Sequence, residues 1–333
     1  MRRREFIAGA ISAVAGASCV GAWAAGTSRR LAIFSPSESS VLMGEKSDNR
    51  YYRALFEELR RLGHVEGQNL TVEKYGSEQN NSDAAALVAE IISRNPDVVF
   101  VIGPGAALFR SANAKLPIVT MTADPIAQGL GRSLARPGGN ITGVSVDTGP
   151  SIHGKRIALL REMFPAMSKL AFVTLRVAWE GVQGPAVRAA AETTGIKLVP
   201  LLVEFPATEA EYRSAIAQAL RDGADAIMIG DAPDVMRYRS LILESIGTAR
   251  LPAIYPFFEL VEDGGLMAYA FDLVELNKRV ANDIDAILRG ANPGDIPFYQ
   301  ATIFELSINL KTAKALGLNV PATLLASADK VIE

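Results

Sequence analysis

The chain has one cysteine, Cys19, and two histidines, His64 and His153. So few soft ligands exclude a zinc or iron centre of the usual His/Cys type, and no metal or other cofactor is expected. Charge of one sign is missing too: 34 basic side chains meet 36 acidic ones, for a formal net charge of −2. Without a basic surplus to neutralise phosphates, nucleic acid is not an expected partner. The chain contains no Gly-x-x-x-x-Gly-Lys-Ser/Thr loop, Gly-x-Ser-x-Gly elbow, His-Glu-x-x-His pair or Ca²⁺ loop. Apolar material is plentiful. Hydrophobic residues make up 49% of the 333 and charged residues 21%. That composition excludes a disordered or fibrous chain and suffices for two lobes of about 130–150 residues each.

The first 24 residues read as an export signal. Met1-Arg2-Arg3-Arg4 is basic, Phe6 to Val20 is mildly apolar, and Ala22-Trp23-Ala24 supplies the small-x-small cleavage pattern. Arg3-Arg4-Glu5-Phe6-Ile7 resembles the twin-arginine export pattern. The apolar run is shorter than the roughly 20 residues of a spanning helix, which argues against a retained anchor. Cleavage after Ala24 removes three arginines and Glu5, taking the formal charge from −2 to −4, and it removes Cys19. The mature chain then has neither a disulfide nor a thiol nucleophile. A lipid-anchored Cys19 after Gly16-Ala17-Ser18 is the rival reading, but it lacks the large aliphatic residue usually found three places upstream.

Beyond the signal, β-branched runs alternate with helical patterns. Strands are predicted at Leu31–Phe34, Leu70–Tyr75, Val98–Ile102, Ile118–Met121, Leu170–Thr174, Lys197–Val203, Ala226–Ile229, Pro252–Tyr255 and Leu266–Ala270. Unbroken apolar runs such as Val98–Ile102 are the mark of strands covered on both faces, hence of a parallel sheet. Ser82-Asp83 opens a predicted helix Ala84–Arg94, stopped by Asn95-Pro96. Thr208 and Glu211 form a capping box for another, which Gly223 ends. Arg136-Pro137-Gly138-Gly139-Asn140 breaks regular structure and is a candidate joint between lobes. The fold class is α/β, with two doubly wound parallel-sheet lobes.

Candidate binding residues cluster where ligands sit in such sheets, just past strand ends. Gly103-Pro104-Gly105-Ala106-Ala107-Leu108 has the first two glycines of a dinucleotide fingerprint and a leucine in place of the third. It serves better as a carboxylate-holding turn through the Gly105 and Ala106 N–H groups, or as a plain strand–helix turn. Asp124-Pro125 suits an ammonium group or a cap, and Arg176 with Trp179 suits a carboxylate clamp under an indole cover. Asp231, Tyr255, Tyr269 and Asp272 stand at other strand ends. His64, in a helix exit, reads as a surface residue, and His153 has no partner that the sequence identifies.

Longer runs carry a resemblance. Leu62-Gly63-His64-Val65-Glu66-Gly67-Gln68-Asn69 and Leu134-Ala135-Arg136-Pro137-Gly138-Gly139-Asn140-Ile141-Thr142-Gly143 are similar to signatures of a bacterial ABC-transporter substrate-binding family with tryptophan-binding members. So are Leu251–Tyr255, Gly264–Met267 and Asn309–Leu318, and the similarity extends over roughly residues 30–333. The resemblance implies a type I periplasmic-binding fold whose lobes join through a three-crossover hinge. Lobe 1 would hold 29–145 and about 272–300, lobe 2 would hold 146–271, and 301–333 forms a hinge or tail segment whose lobe stays open. It also implies that the loop Ser35-Pro36-Ser37-Glu38 faces the cleft, with Ser35 and Ser37 as ligand contacts, alongside Gly103–Ala107 and Asp124-Pro125. Pro104, Arg176-Val177-Ala178-Trp179 and Asp231-Ala232-Pro233 depart from the family's usual ligand-facing loops, so ligand identity does not transfer.

The expected protein is therefore a monomeric periplasmic receptor, not an enzyme. It would capture a small carboxylate-bearing solute, an amino acid or an aromatic or aliphatic acid, for an ABC permease and its ATPase. The alternatives are a ligand sensor for a membrane signalling kinase and a periplasmic enzyme on the same scaffold.

Overall fold

The computed structural model describes residues 28–79, 84–103, 105–146 and 150–333. The export signal, Cys19, Ser82-Asp83 and Pro104 lie outside the described residues. Among those described, no helix is long and apolar enough to cross a membrane.

Two sheets organise the chain. The first takes β1 (Arg29–Phe34), β2 (Leu70–Tyr75), β3 (Val98–Ile102), β4 (Ile118–Thr122) and β5 (Ile141–Ser145). The second takes β6 (Lys169–Leu175), β7 (Lys197–Val203), β8 (Ala226–Ile229), β9 (Ala253–Tyr255) and β10 (Met267–Phe271). The chain then returns to the first sheet for β11 (Tyr299–Gln300) and ends in the second with β12 (Phe304–Asn309) and β13 (Lys330–Ile332). The orders are β11-β5-β4-β3-β1-β2 and β13-β12-β10-β9-β8-β6-β7. Every pairing is parallel except β10 with β12. Each sheet thus repeats a 2-1-3-4-5 winding whose switch point lies between its first and third strands, where open α/β sheets bind ligands.

The apolar runs behave as buried parallel strands do. Leu31 and Ile33 join one apolar cluster while Ala32 and Phe34 join another on the opposite face, and all four are fully buried. Phe172 and Val173 divide in the same way in the second sheet. The Thr208–Glu211 capping box is present, and Gly223 follows the helix at φ +67°.

Chain passages between the sheets fall after Ser145, after Phe271 and after Gln300. Helix Pro150–Met163 packs on helix Gln183–Thr194 beside the second sheet, and helix Leu273–Leu288 packs on helix Arg50–Arg61 beside the first. Arg136–Asn140 is not a joint between lobes. It is a loop from β4 to β5 within the first sheet, held where the Gly138 N–H donates to the Gly294 carbonyl. β5 escapes sequence reading because Gly143 interrupts its apolar run. A side chain there would put its Cβ 2.0 Å from the Thr120 carbonyl oxygen, so only glycine lets β4 and β5 approach.

Candidate functional site

The C-terminal ends of both sets of strands open on one cavity of about 280 Å³. The first sheet contributes Glu38 after β1, Gly103 after β3 and Thr122 at the end of β4. The second contributes Leu175 at the end of β6, Asp231 after β8 and Phe271 at the end of β10. The walls are mainly apolar, with Ile102, Met121, Val146, Met236 and Phe257 among them. The described lining residues include no lysine, arginine or histidine.

Helix Arg50–Arg61 brings three polar groups to one end. Asn49 caps it by accepting from the Tyr51 N–H at 2.9 Å, and the buried face of Tyr52, Leu55, Phe56 and Leu59 fixes its roll. Tyr52 Oη donates to Glu38 Oε2 at 2.7 Å and Asn49 Nδ2 to Glu38 Oε1 at 3.2 Å. Glu38 is half-buried and lines the cavity. Burial pushes its carboxyl above the usual range, and the two neutral donors oppose that shift.

At the other end, Asp231 is held from behind. Arg156, fully buried on helix Pro150–Met163, grips it with two bonds, Nη1 to Oδ2 at 2.5 Å and Nη2 to Oδ1 at 2.9 Å. The third guanidinium nitrogen, Nε, donates to the Tyr269 carbonyl at 2.9 Å. Gln183 Nε2 donates to the Asp231 carbonyl at 2.7 Å, and Thr174 Oγ1 donates to Gln183 Oε1 at 2.8 Å. A bidentate pair with both backbone sides tied is a rigid mount for the carboxylate. His153, one turn before Arg156, is buried edge-on to Phe172 with Nδ1 unpartnered. Burial first, with the Arg156 charge adding to it and Asp231 opposing, lowers it to about 4, so it is neutral at pH 7.

The lobes also meet outside the cavity. Arg50 of the first pairs with Glu259 and Glu262 of helix Phe258–Glu262 in the second.

Of the residues and loops singled out from the sequence, Glu38, Gly103, Ala107 and Asp231 line the cavity, and the remaining candidates make other contacts. Ser35 Oγ accepts from the Glu38 N–H at 3.3 Å, and Ser37 is buried with its hydroxyl unpartnered. Gly105 and Ala106 are buried at the start of helix Gly105–Ser111, where a Cβ on Gly105 would lie 2.8 Å from Phe34. Asp124 accepts from the Ile126 and Ala127 N–H groups, closing a turn through the buried Pro125. Arg176 is exposed and paired with Glu204 at 2.6 Å, and Trp179 packs on Phe172 beneath Arg188. Tyr255 is buried, Tyr269 stacks on Phe304, and Asp272 caps helix Leu273–Leu288. His64 is not a surface residue: 13% of its side chain is exposed and Nε2 lies 2.8 Å from Asp285 on that helix. Sequence reading passed over Asn49, Tyr51, Gln128, Gln183 and Asn277. The Asn-Arg-Tyr-Tyr run at 49–52, a cap followed by two aromatics, was the one available signal. No group of acidic, histidine or cysteine side chains suited to a metal occurs among the described residues.

Two lobes wound alike, with facing strand ends, define a type I periplasmic-binding fold. The family model for ABC transporter substrate binding proteins matches residues 40–332, and the chain belongs to that family. A tyrosine-binding protein of Clostridioides difficile (strain R20291) is 22% identical over 287 residues, 84% of this chain and 80% of that one. A conserved domain protein of Vibrio cholerae has a crystal structure that matches at TM-score 0.80 and 25% identity, covering 92% of this chain and 100% of its own. A Streptococcus pneumoniae ABC domain in complex with L-tryptophan matches at TM-score 0.79 and 23% identity over the same shares.

Proposed function

We propose that the protein is the exported solute receptor of an ABC importer, capturing a small organic molecule between its lobes and releasing it unchanged to a permease with its ATPase. The observation that carries this reading is the cavity whose walls come from the strand ends of both sheets. A ligand there touches both lobes, so it binds the closed form better than the open one and shifts the population toward closure. A volume of about 280 Å³ lies just below the range of drug-sized sites and suits a solute the size of an amino acid. Apolar walls favour a ligand with an apolar body, in keeping with the aromatic amino acids named for two relatives. A carboxylate on the solute would meet neutral donors such as the Gln128 amide, whose Oε1 is already taken by Thr122. The basic, apolar, Ala-x-Ala-ended start of the sequence supports export to the periplasm.

A thermal-shift screen against amino acids, aromatic acids and short carboxylates tests this. A true ligand at 100 times its Kd should stabilise the fold by about 2.7 kcal/mol and reduce the radius of gyration in solution scattering. A protein that no solute stabilises or compacts would sink the reading.

A further inference from the structure

We propose that the group this cavity selects is a basic nitrogen, received by Glu38 of one lobe and Asp231 of the other, so that the solute is an amine or amino acid and a carboxylate on it is dispensable. The inference rests on the solute-receptor reading and names the chemistry of its site.

Among the described residues, the two lobes bring one carboxylate each to the lining and no cation. Between residues 28 and 333, the segments left undescribed (80–83, 104 and 147–149) contain no lysine, arginine or histidine either. The arginines next to lining residues in the chain are engaged elsewhere: Arg50 with Glu259 and Glu262, Arg53 with the Ser47 carbonyl, Arg176 with Glu204, and Arg237 over the Tyr238 ring. Asp231 has its countercharge in Arg156, which grips it from behind. Among the described residues Glu38 has none, only the neutral Tyr52 hydroxyl and Asn49 amide.

Closure makes that difference matter. In an open cleft, water solvates Glu38. When the lobes meet, the carboxylate loses that water and an unpaired buried charge is costly. An ammonium group supplies both the missing charge and three donors, and the need for it is greatest in the closed form, where water is excluded. The aromatic rings of Phe257 and Phe271, which also line the cavity, suit a cation as well. A ligand whose only charged group is a carboxylate would add a third negative centre to the same enclosed space.

Matched ligands separate the groups. Calorimetric titrations would use L-tyrosine, tyramine and 3-(4-hydroxyphenyl)propionate, then L-tryptophan, tryptamine and indole-3-propionate. In a series that binds, loss of the nitrogen should weaken affinity roughly 10- to 100-fold, as for other hydrogen bonds to charged groups, while loss of the carboxylate should cost less. Glu38→Gln should weaken the amine roughly 10- to 100-fold, leave the deaminated acid unchanged or tighter, and leave the unliganded melting temperature equal or higher. A general folding defect would not produce that split. A deaminated acid that matches its amino acid while the amine fails to bind overturns the inference. So does a tightest ligand without a basic nitrogen, which leaves the receptor reading in place. Failure to saturate with any solute overturns both.

Discussion

Gly103, just after β3, and Pro233, opening the helix after β8, meet at the cavity so closely that a Cβ on Gly103 would lie 3.0 Å from Pro233 Cγ. Gly103 also sits at φ +68°, a left-handed conformation that glycine adopts without penalty. Gly103→Ala should therefore hold the lobes apart and weaken solute affinity by roughly 5- to 30-fold, the equivalent of one to two kcal/mol. Gly67→Ala is the control, at φ +80° with nothing within 4 Å of the added methyl. It carries similar backbone strain and should leave affinity unchanged. Titration together with solution scattering reads both effects.

Arg156 and Asp231 form a buried pair in which the arginine is fully enclosed and 16% of the aspartate is exposed. Arg156→Met leaves Asp231 uncompensated beside the cavity and should destabilise the fold by about 3 kcal/mol, the low end for a broken buried pair. Adding Asp231→Asn should restore part of that loss, since no charge then remains unpaired. A double-mutant cycle by urea unfolding measures the coupling, and additive losses would show that the two residues act independently.

His153 sets an acid limit on stability. Its folded value of about 4 lies below the ordinary 6.5, so the unfolded chain takes up a proton first as pH falls. The stability it contributes is complete above pH 6.5 and is lost progressively toward pH 4, by up to about 3 kcal/mol. His153→Gln, which does not titrate, should flatten this part of the pH profile in denaturant unfolding. An unchanged slope between pH 6.5 and 4 would exclude His153 as its source.

Arg176 is fully committed on the surface to Glu204 and Glu180 and does not line the cavity. Arg176→Ala should leave both solute affinity and melting temperature unchanged. A large loss of affinity would return it to the binding site that its position after β6 suggests.

Much of the fold was legible because covered strands and capped helices are local patterns. Leu70–Tyr75, Val98–Ile102, Lys197–Val203 and Ala226–Ile229 match the predicted spans. β5 and the C-terminal strands were not legible, because Gly143 and the β10–β12 pairing follow from contacts between distant segments. Strand-end position pointed to the edge of each sheet where the cavity lies, but it did not separate the side chains that line the cavity from those that pack beside it. A loop residue there can cap a helix, as Asp272 does, or face the cavity, as Asp231 does, with no local difference in sequence.

The sequence by itself determined the α/β class, the alternation of strands with helices and the scarcity of soft metal ligands, since periodicity and composition are properties of short windows. Only the tertiary structure decided that Glu38 and Asp231 share one space and that Arg156 answers one of them alone. Those relationships join residues 38, 156 and 231 across two sheets, and charge compensation depends on distance in space rather than along the chain.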